Sequence, residues 1–411
     1  MNKQIQITRI LYVVVMLSLT FQLFNTIPIF DRHYLFWLIA AVLSFSYCKG
    51  FFKSITFTWL LLYFLVVYLN HVSGDSFFYE STKIIIELVA FFIPASMAFY
   101  LFKRQDKPLV RYLLLFFGVF LIESAIVSFY ANSLFPDIIR IQSNAENVAE
   151  NLIFIQPFIR MGLTDYILPH AMPVIIPGLV YVTISAKGRK RIIYALILVA
   201  AWMLAYVSGS FTALLLSTIT LFLSLLVSKK NKRKTIARLV VASVFLVPLA
   251  SSSSLQFLIL DGVQQLIPDD NIAYRKITDI EESIIYGDAE GGVGKRQEKY
   301  DQTISVIQNN LLVGTNEEKF GGHSAVLDRI AVLGLLGIVP YFLFIFFQLR
   351  FLIHYIGKTQ RFYYYIGVFA ALIMIMTKNM SYVSLWFMLF TLLPGILWIK
   401  DDEWAESKLL S

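Results

Sequence analysis

Runs of about 20 consecutive apolar residues recur from one end of this 411-residue chain to the other. Few folds accept such a pattern. A hydrocarbon layer of about 30 Å is crossed by roughly 20 apolar residues in a helix. Backbone groups in that layer find no water, so only helices and closed barrels satisfy them. Barrel strands alternate apolar and polar residues, whereas these runs are continuous. The sequence therefore predicts an all-α polytopic membrane protein. Composition agrees: 58% of residues are hydrophobic and 15% charged, too few to build the polar surface of a water-soluble domain.

The runs place twelve spans, at 8–25, 34–48, 55–70, 83–102, 109–130, 166–185, 191–207, 211–228, 236–250, 323–349, 362–377 and 382–399. The first run, Ile10 to Phe24, lacks a small-residue cleavage site and is expected to stay as the first helix. Lys and Arg decide orientation, because short cytoplasmic loops collect them. With both termini cytoplasmic, the inside segments hold 23 of the 35 basic residues. Lys187, Arg189, Lys190 and Arg191 form one dense loop, and Lys229, Lys230, Lys232, Arg233 and Lys234 another. The net charge of +8 thus reflects topology. No basic patch interleaves with aromatics on a polar domain, which argues against nucleic acid.

The whole chain, 1–411, is expected to form one membrane domain with two long outside inserts, 131–165 and 251–322. In the second, Ile304, Ile307 and Leu311 recur at helical spacing from Tyr300 onward, predicting an amphipathic helix. The Gly-rich stretch Gly287 to Gly294 precedes it as a flexible joint. Polar mass on one side suggests that the work is done there. No inverted repeat of the kind many transporters carry is visible.

Ionisable residues near an outer membrane boundary are costly unless they are paired or wet. His323 opens the tenth span after Gly321 and Gly322; an imidazole there can take a proton from a hydroxyl. Asp328 and Arg329 follow in the same span. Arg329 is suited either to a buried pair or to a phosphate oxygen, and helical geometry turns it about 240° away from His323. Lys295, Arg296 and Lys299 cluster at the start of the amphipathic helix, next to Tyr300, where a positive helix end favours an anionic headgroup. Arg140 and Arg160 lie in the first insert. His170 sits among Pro169, Pro173 and Pro177 and just after Tyr166; the freed carbonyls of such a span need a cavity or neighbouring helices. Lys83 and Glu87, at i and i+4, suit a local ion pair. Ser208, Gly209 and Ser210 form a tight turn.

Other chemistries are poorly served. There is no Walker sequence, no HExxH and no CxxC. The single cysteine, Cys48, cannot form a disulfide within the chain and reads as a small core residue. Any enzyme here is expected to work without a metal or cofactor, through Arg, Lys and His.

One ordered set of residues resembles a known family. Arg296 begins an amphipathic helix, Gly314 follows it, His323 and Ser324 open a span, and Gly334-Leu335-Leu336-Gly337 lies within that span. This pattern, with the long insert before it, is similar to the O-antigen polymerase and O-antigen ligase superfamily, whose members include the Wzy-type polymerases. The turn at 208–210 resembles the family's Ser-Arg-Ser turn, with Gly209 in place of the arginine. The resemblance implies a GT-C-like glycosyltransferase of lipopolysaccharide biosynthesis in the bacterial inner membrane, with its active site periplasmic. The implied substrates are polysaccharide chains and repeat units on undecaprenyl pyrophosphate, within membrane lipid, and a separate chain-length regulator is implied as a partner. His323 and Arg296 would be catalytic. Arg140, Arg160, Arg329, His170, Lys299, Tyr300 and Tyr166 would hold pyrophosphate or sugar. Two readings stay open beside the polymerase: a ligase joining the chain to lipid A-core, and a twelve-helix transporter or flippase.

Overall fold

The computed structural model describes residues 3–21, 48–72, 77–136, 138–143, 154–227, 292–315, 324–378 and 382–399, with a few isolated positions at 23–24, 39, 42 and 278. Every regular element among them is helical. In chain order these are α1 (Lys3–Thr20), α2 (Ile55–Val72), α3 (Phe77–Lys103), α4 (Lys107–Leu134), α5 (Ile138–Ser143), α6 (Leu168–Ser185), α7 (Gly188–Val207), α8 (Phe211–Val227), α9 (Gly292–Asn309), α10 (Ala325–Ile353) and α11 (Arg361–Thr377). Helix α12 begins at Val383–Phe387 and continues to 399 through a π turn at Met388–Leu392. Among the described residues, four helices (α4, α6, α7 and α10) are long and apolar enough to cross a membrane by length and composition, and shorter apolar helices accompany them. The expected spans at 34–48 and 236–250 lie outside the described residues, apart from positions 39, 42 and 48.

The helix ends sort into two groups. At one end, Asp106 caps α4 by accepting from Leu109 N (3.2 Å) and pairs with Arg9 of α1 at 2.8 Å. Gln360, just before α11, donates to Tyr181 of α6 at that same end. The helix directions bring Lys103, Arg104, Lys107, the Lys187–Arg191 loop, Arg350 and Arg361 there as well. At the other end, Ser128 of α4 accepts from Thr164 N, Ser210 meets His170, and Ala325 N donates to Lys378 O. Among the described residues, the basic groups named above thus gather at one end of the bundle.

Helix α6 is the post around which its half of the bundle is built. Of its apolar stretch 78% is buried, against 39% for α4 and 33% for α7, so it faces protein where they face lipid. It packs on α7, α8 and α11. Gly367 of α11 allows a close approach to α6, since a side chain there would meet Val174 O at 2.6 Å. The other half packs α10 against α2 and centres on rings: Phe91 lies 5.0 Å from Trp386 and 5.6 Å from Tyr341 between centroids.

The first insert is partly folded. Ile138, Ile139, Ile155 and Phe158 are buried, so α5 and a helical segment at 154–160 lie against the bundle. In the second insert the helix starts at Gly292, inside the stretch expected to be a joint and two turns before Tyr300. Those two turns are polar, so apolar periodicity could not register them.

Candidate active site

Helix α10 is broken at Gly334, where φ is +60° and ψ −165°, a conformation open only to glycine. The break lies nine residues into the helix, about 14 Å from its start at 1.5 Å per residue. At that depth freed backbone groups must find protein partners, and the segment after α9 supplies them. Leu335 N donates to Leu311 O (2.9 Å) and Leu336 N to Leu312 O (3.2 Å). Thr315 N donates to Ala331 O (2.8 Å), and Asn70 Nδ2 of α2 to Val332 O (2.8 Å). Gly314, also at positive φ (+78°), lies against Gly334. A methyl on either glycine would come within 2.6 Å of the other's nitrogen. The helix carrying Arg296 is thereby pinned to the span that begins just after His323.

Arg329 lies in the first half of α10. Its Nη2 donates to Glu87 Oε1 at 2.6 Å, its Nε to Glu87 and Tyr63 Oη, and its Nη1 to Ala325 O at 2.9 Å. Tyr63 Oη donates to the same carboxylate oxygen. The guanidinium also rests 5.1 Å from the Tyr341 ring centroid. This is the geometry of a buried pair tying α2, α3 and α10. The local partner expected for Glu87, Lys83, has its side chain outside the described residues.

His170 is 1% exposed and Ser210 2%. The Nδ1 of His170 lies 2.7 Å from Tyr166 O. A carbonyl can only accept, so Nδ1 carries a proton and donates to it. Ser210 Oγ is hydrogen-bonded to Nε2 at 2.7 Å. The same Oγ accepts from Ala213 N at 3.4 Å at the start of α8. The turn at 208–210, with Gly209 at φ +62°, presents Ser210 to the imidazole. Serine, histidine and carbonyl form a relay able to hold a proton in one place, and in this structure they tie α8 to α6. The Tyr166 ring lies 4.6 Å from the imidazole.

Beside this relay stands Asp165, which was not among the expected site residues. Its Oδ1 accepts from Ile167 N (3.1 Å) and Leu168 N (2.8 Å) at the mouth of α6. Burial pushes its carboxyl up to about 6, and the two N–H donors only partly offset that. A carboxyl that titrates near neutrality is suited to proton transfer. Its sequence signal is an Asp placed just before an apolar helix, which marks a helix start and says nothing of burial. A raised acid favours folding in its neutral form. That contribution is fully present below 3.8 and is lost as pH rises through 6. Thermal unfolding in detergent should therefore show the wild type losing stability relative to Asp165→Asn between about pH 4 and 6. A difference that stays flat over that window would place the carboxyl in its ordinary range.

The remaining expected residues are scattered. His323 lies outside the described residues. Arg296 is on α9, but its side chain is outside them. Lys299 is exposed and Tyr300 half-buried on the same helix, Arg140 is half-buried on α5, and Arg160 is exposed at the end of the 154–160 segment. The structure brings Tyr166 and His170 together, and sets Arg329 apart with Glu87 and Tyr63. Among the described residues no cluster of His, Cys, Asp or Glu could hold a metal ion. Compared with known proteins, the chain matches no family model and no curated relative.

Proposed function

We propose that this chain is a membrane glycosyltransferase of the O-antigen polymerase type, moving a growing polysaccharide from undecaprenyl pyrophosphate to a new lipid-linked repeat unit. The observation that carries the reading is the contact between Gly314 and Gly334. Two glycines of the motif that suggested the family meet backbone to backbone, so the motif is a spatial unit as well as a sequence one. It couples a basic amphipathic helix to the membrane span whose first residues follow His323.

In this reading the basic end of the bundle and both termini are cytoplasmic, the membrane is the bacterial inner membrane, and the reaction occurs on the periplasmic side. The acceptor sugar's hydroxyl attacks the anomeric carbon of the donor chain. A new C–O bond forms as the bond to the pyrophosphate oxygen breaks, and the leaving group takes the electron pair. His323 takes the hydroxyl proton. Arg296, with Lys299 three residues on, would stabilise the growing negative charge on the pyrophosphate. Attack opposite the leaving group inverts the anomeric centre. Arg140 and Arg160 would help to hold pyrophosphate or sugar, and a chain-length regulator would act from the same side.

The test is genetic. Cells with His323→Ala or Arg296→Ala should retain the protein in the membrane yet make lipopolysaccharide capped with a single repeat. Normal ladders in both variants would overturn these roles. Polymer accumulating on the lipid carrier, with bare core, would show a ligase instead.

A further inference from the structure

The basic end of the bundle carries a cleft that the transfer reaction does not use. It has a volume of about 440 Å³ and opens between α2, α3 and α10. Lys103, Arg350 and His354 line it, and no acidic side chain does. Among the described residues, neither Lys103 nor Arg350 has a carboxylate partner within ion-pair distance. One wall is aromatic: Phe99 and Phe351 stack with centroids 4.9 Å apart, and the Lys103 ammonium lies 5.9 Å from the Phe99 ring.

A second source of positive potential reaches the same cleft. Helix α2 begins there, and Ser54, Ile55 and Thr56 form part of the lining. Ser54 Oγ accepts from Phe57 N and Ser54 O from Thr58 N, which leaves the N–H groups of Ile55 and Thr56 at the open helix end. Two cations, a histidine and a helix N-terminus therefore converge beside an apolar wall, at the level where the helices leave the apolar layer. A phosphate group satisfies the donors, and an acyl chain suits the stacked rings.

We propose that this cleft binds a phosphate group, supplied in the membrane by the headgroup of an acidic phospholipid. The full-length protein in neutral detergent is examined by native mass spectrometry with added phosphatidylglycerol, phosphatidylcholine or inorganic phosphate. The wild type should retain phosphatidylglycerol and not phosphatidylcholine. The double variant Lys103→Gln with Arg350→Gln should bind it roughly thirtyfold more weakly, each contact contributing a factor of about five. Both side chains are exposed, so unfolding temperature without lipid should be unchanged and serves as the folding control. Inorganic phosphate that binds with the same dependence on Lys103 and Arg350 would support the site and assign it a soluble anion. Equal retention of phosphatidylglycerol by both proteins, or of phosphatidylcholine by the wild type, would overturn it.

Discussion

Replacing Gly334 with alanine is expected to unseat the 311–315 segment from α10 and to destabilise the protein by roughly 3–5 kcal/mol. Two costs add. The backbone at φ +60°, ψ −165° is one that L side chains avoid, worth about 1–3 kcal/mol. The methyl would also lie 2.5 Å from the carbonyl carbon of Leu312, so the two strands of backbone must separate. Separation breaks the bonds from Leu335 N and Leu336 N, and no water replaces them at that depth. Gly188→Ala tests a positive φ without the clash, since Gly188 has φ +57° and nothing within 4 Å of an added methyl; it should cost about 1 kcal/mol. Hydrogen exchange checks the mechanism. Peptides covering 311–315 and 334–337 should exchange together in Gly334→Ala and in Gly314→Ala. Protection left intact in either variant would show that the contact does not hold the segment.

Glu87→Gln and Arg329→Gln should each destabilise the protein by about 2–4 kcal/mol, below the full cost of breaking a buried pair because both groups keep some solvent access. Their side chains are 27% and 14% exposed. Arg329→Gln leaves a carboxylate among rings with Tyr63 Oη as its remaining donor in this network, and Glu87→Gln leaves a guanidinium without its counter-charge. The double variant should be less destabilised than the sum of the singles by about 1–3 kcal/mol. Arg329→Lys should not rescue, because one ammonium cannot span Glu87, Tyr63 and Ala325 O as the planar fork does. Thermal unfolding of the four proteins in detergent decides. Additive losses would mean that the two groups stabilise the bundle independently.

The helices were legible because hydrophobic length alone specifies them. The span expected at 55–70 is a helix from Ile55 to Val72, and that expected at 211–228 runs from Phe211 to Val227. What stayed hidden is what depends on residues distant in sequence. The pairing of Glu87 with Arg329, 242 residues on, has no local signal in the sequence. Gly334 lies in an unbroken apolar run, so periodicity carries a helix straight through it. Only the family-like spacing of Gly314 and Gly334 hinted that both mattered, and it gave no reason. Asp165 reads as a helix start, and its raised carboxyl comes from burial that local pattern does not encode. The break in α10 is the plainest case: most of its partners are backbone atoms, which carry no residue identity for a sequence to show.

The buried position of α6 also dictates an order of assembly. Pro173 and Pro177 lie inside this helix and remove hydrogen bonds that lipid cannot replace. It packs against α7, α8, α11 and α12, all of which follow it in the chain. During synthesis α6 therefore leaves the ribosome before any of these covers exists. Its stable insertion has to wait for α7 and α8 and is completed only when α11 and α12 arrive, about 180 residues or more later. Until then the segment requires shelter from the insertion machinery. Truncation before α11 should expose it to membrane proteases, although every residue of α6 would already be made.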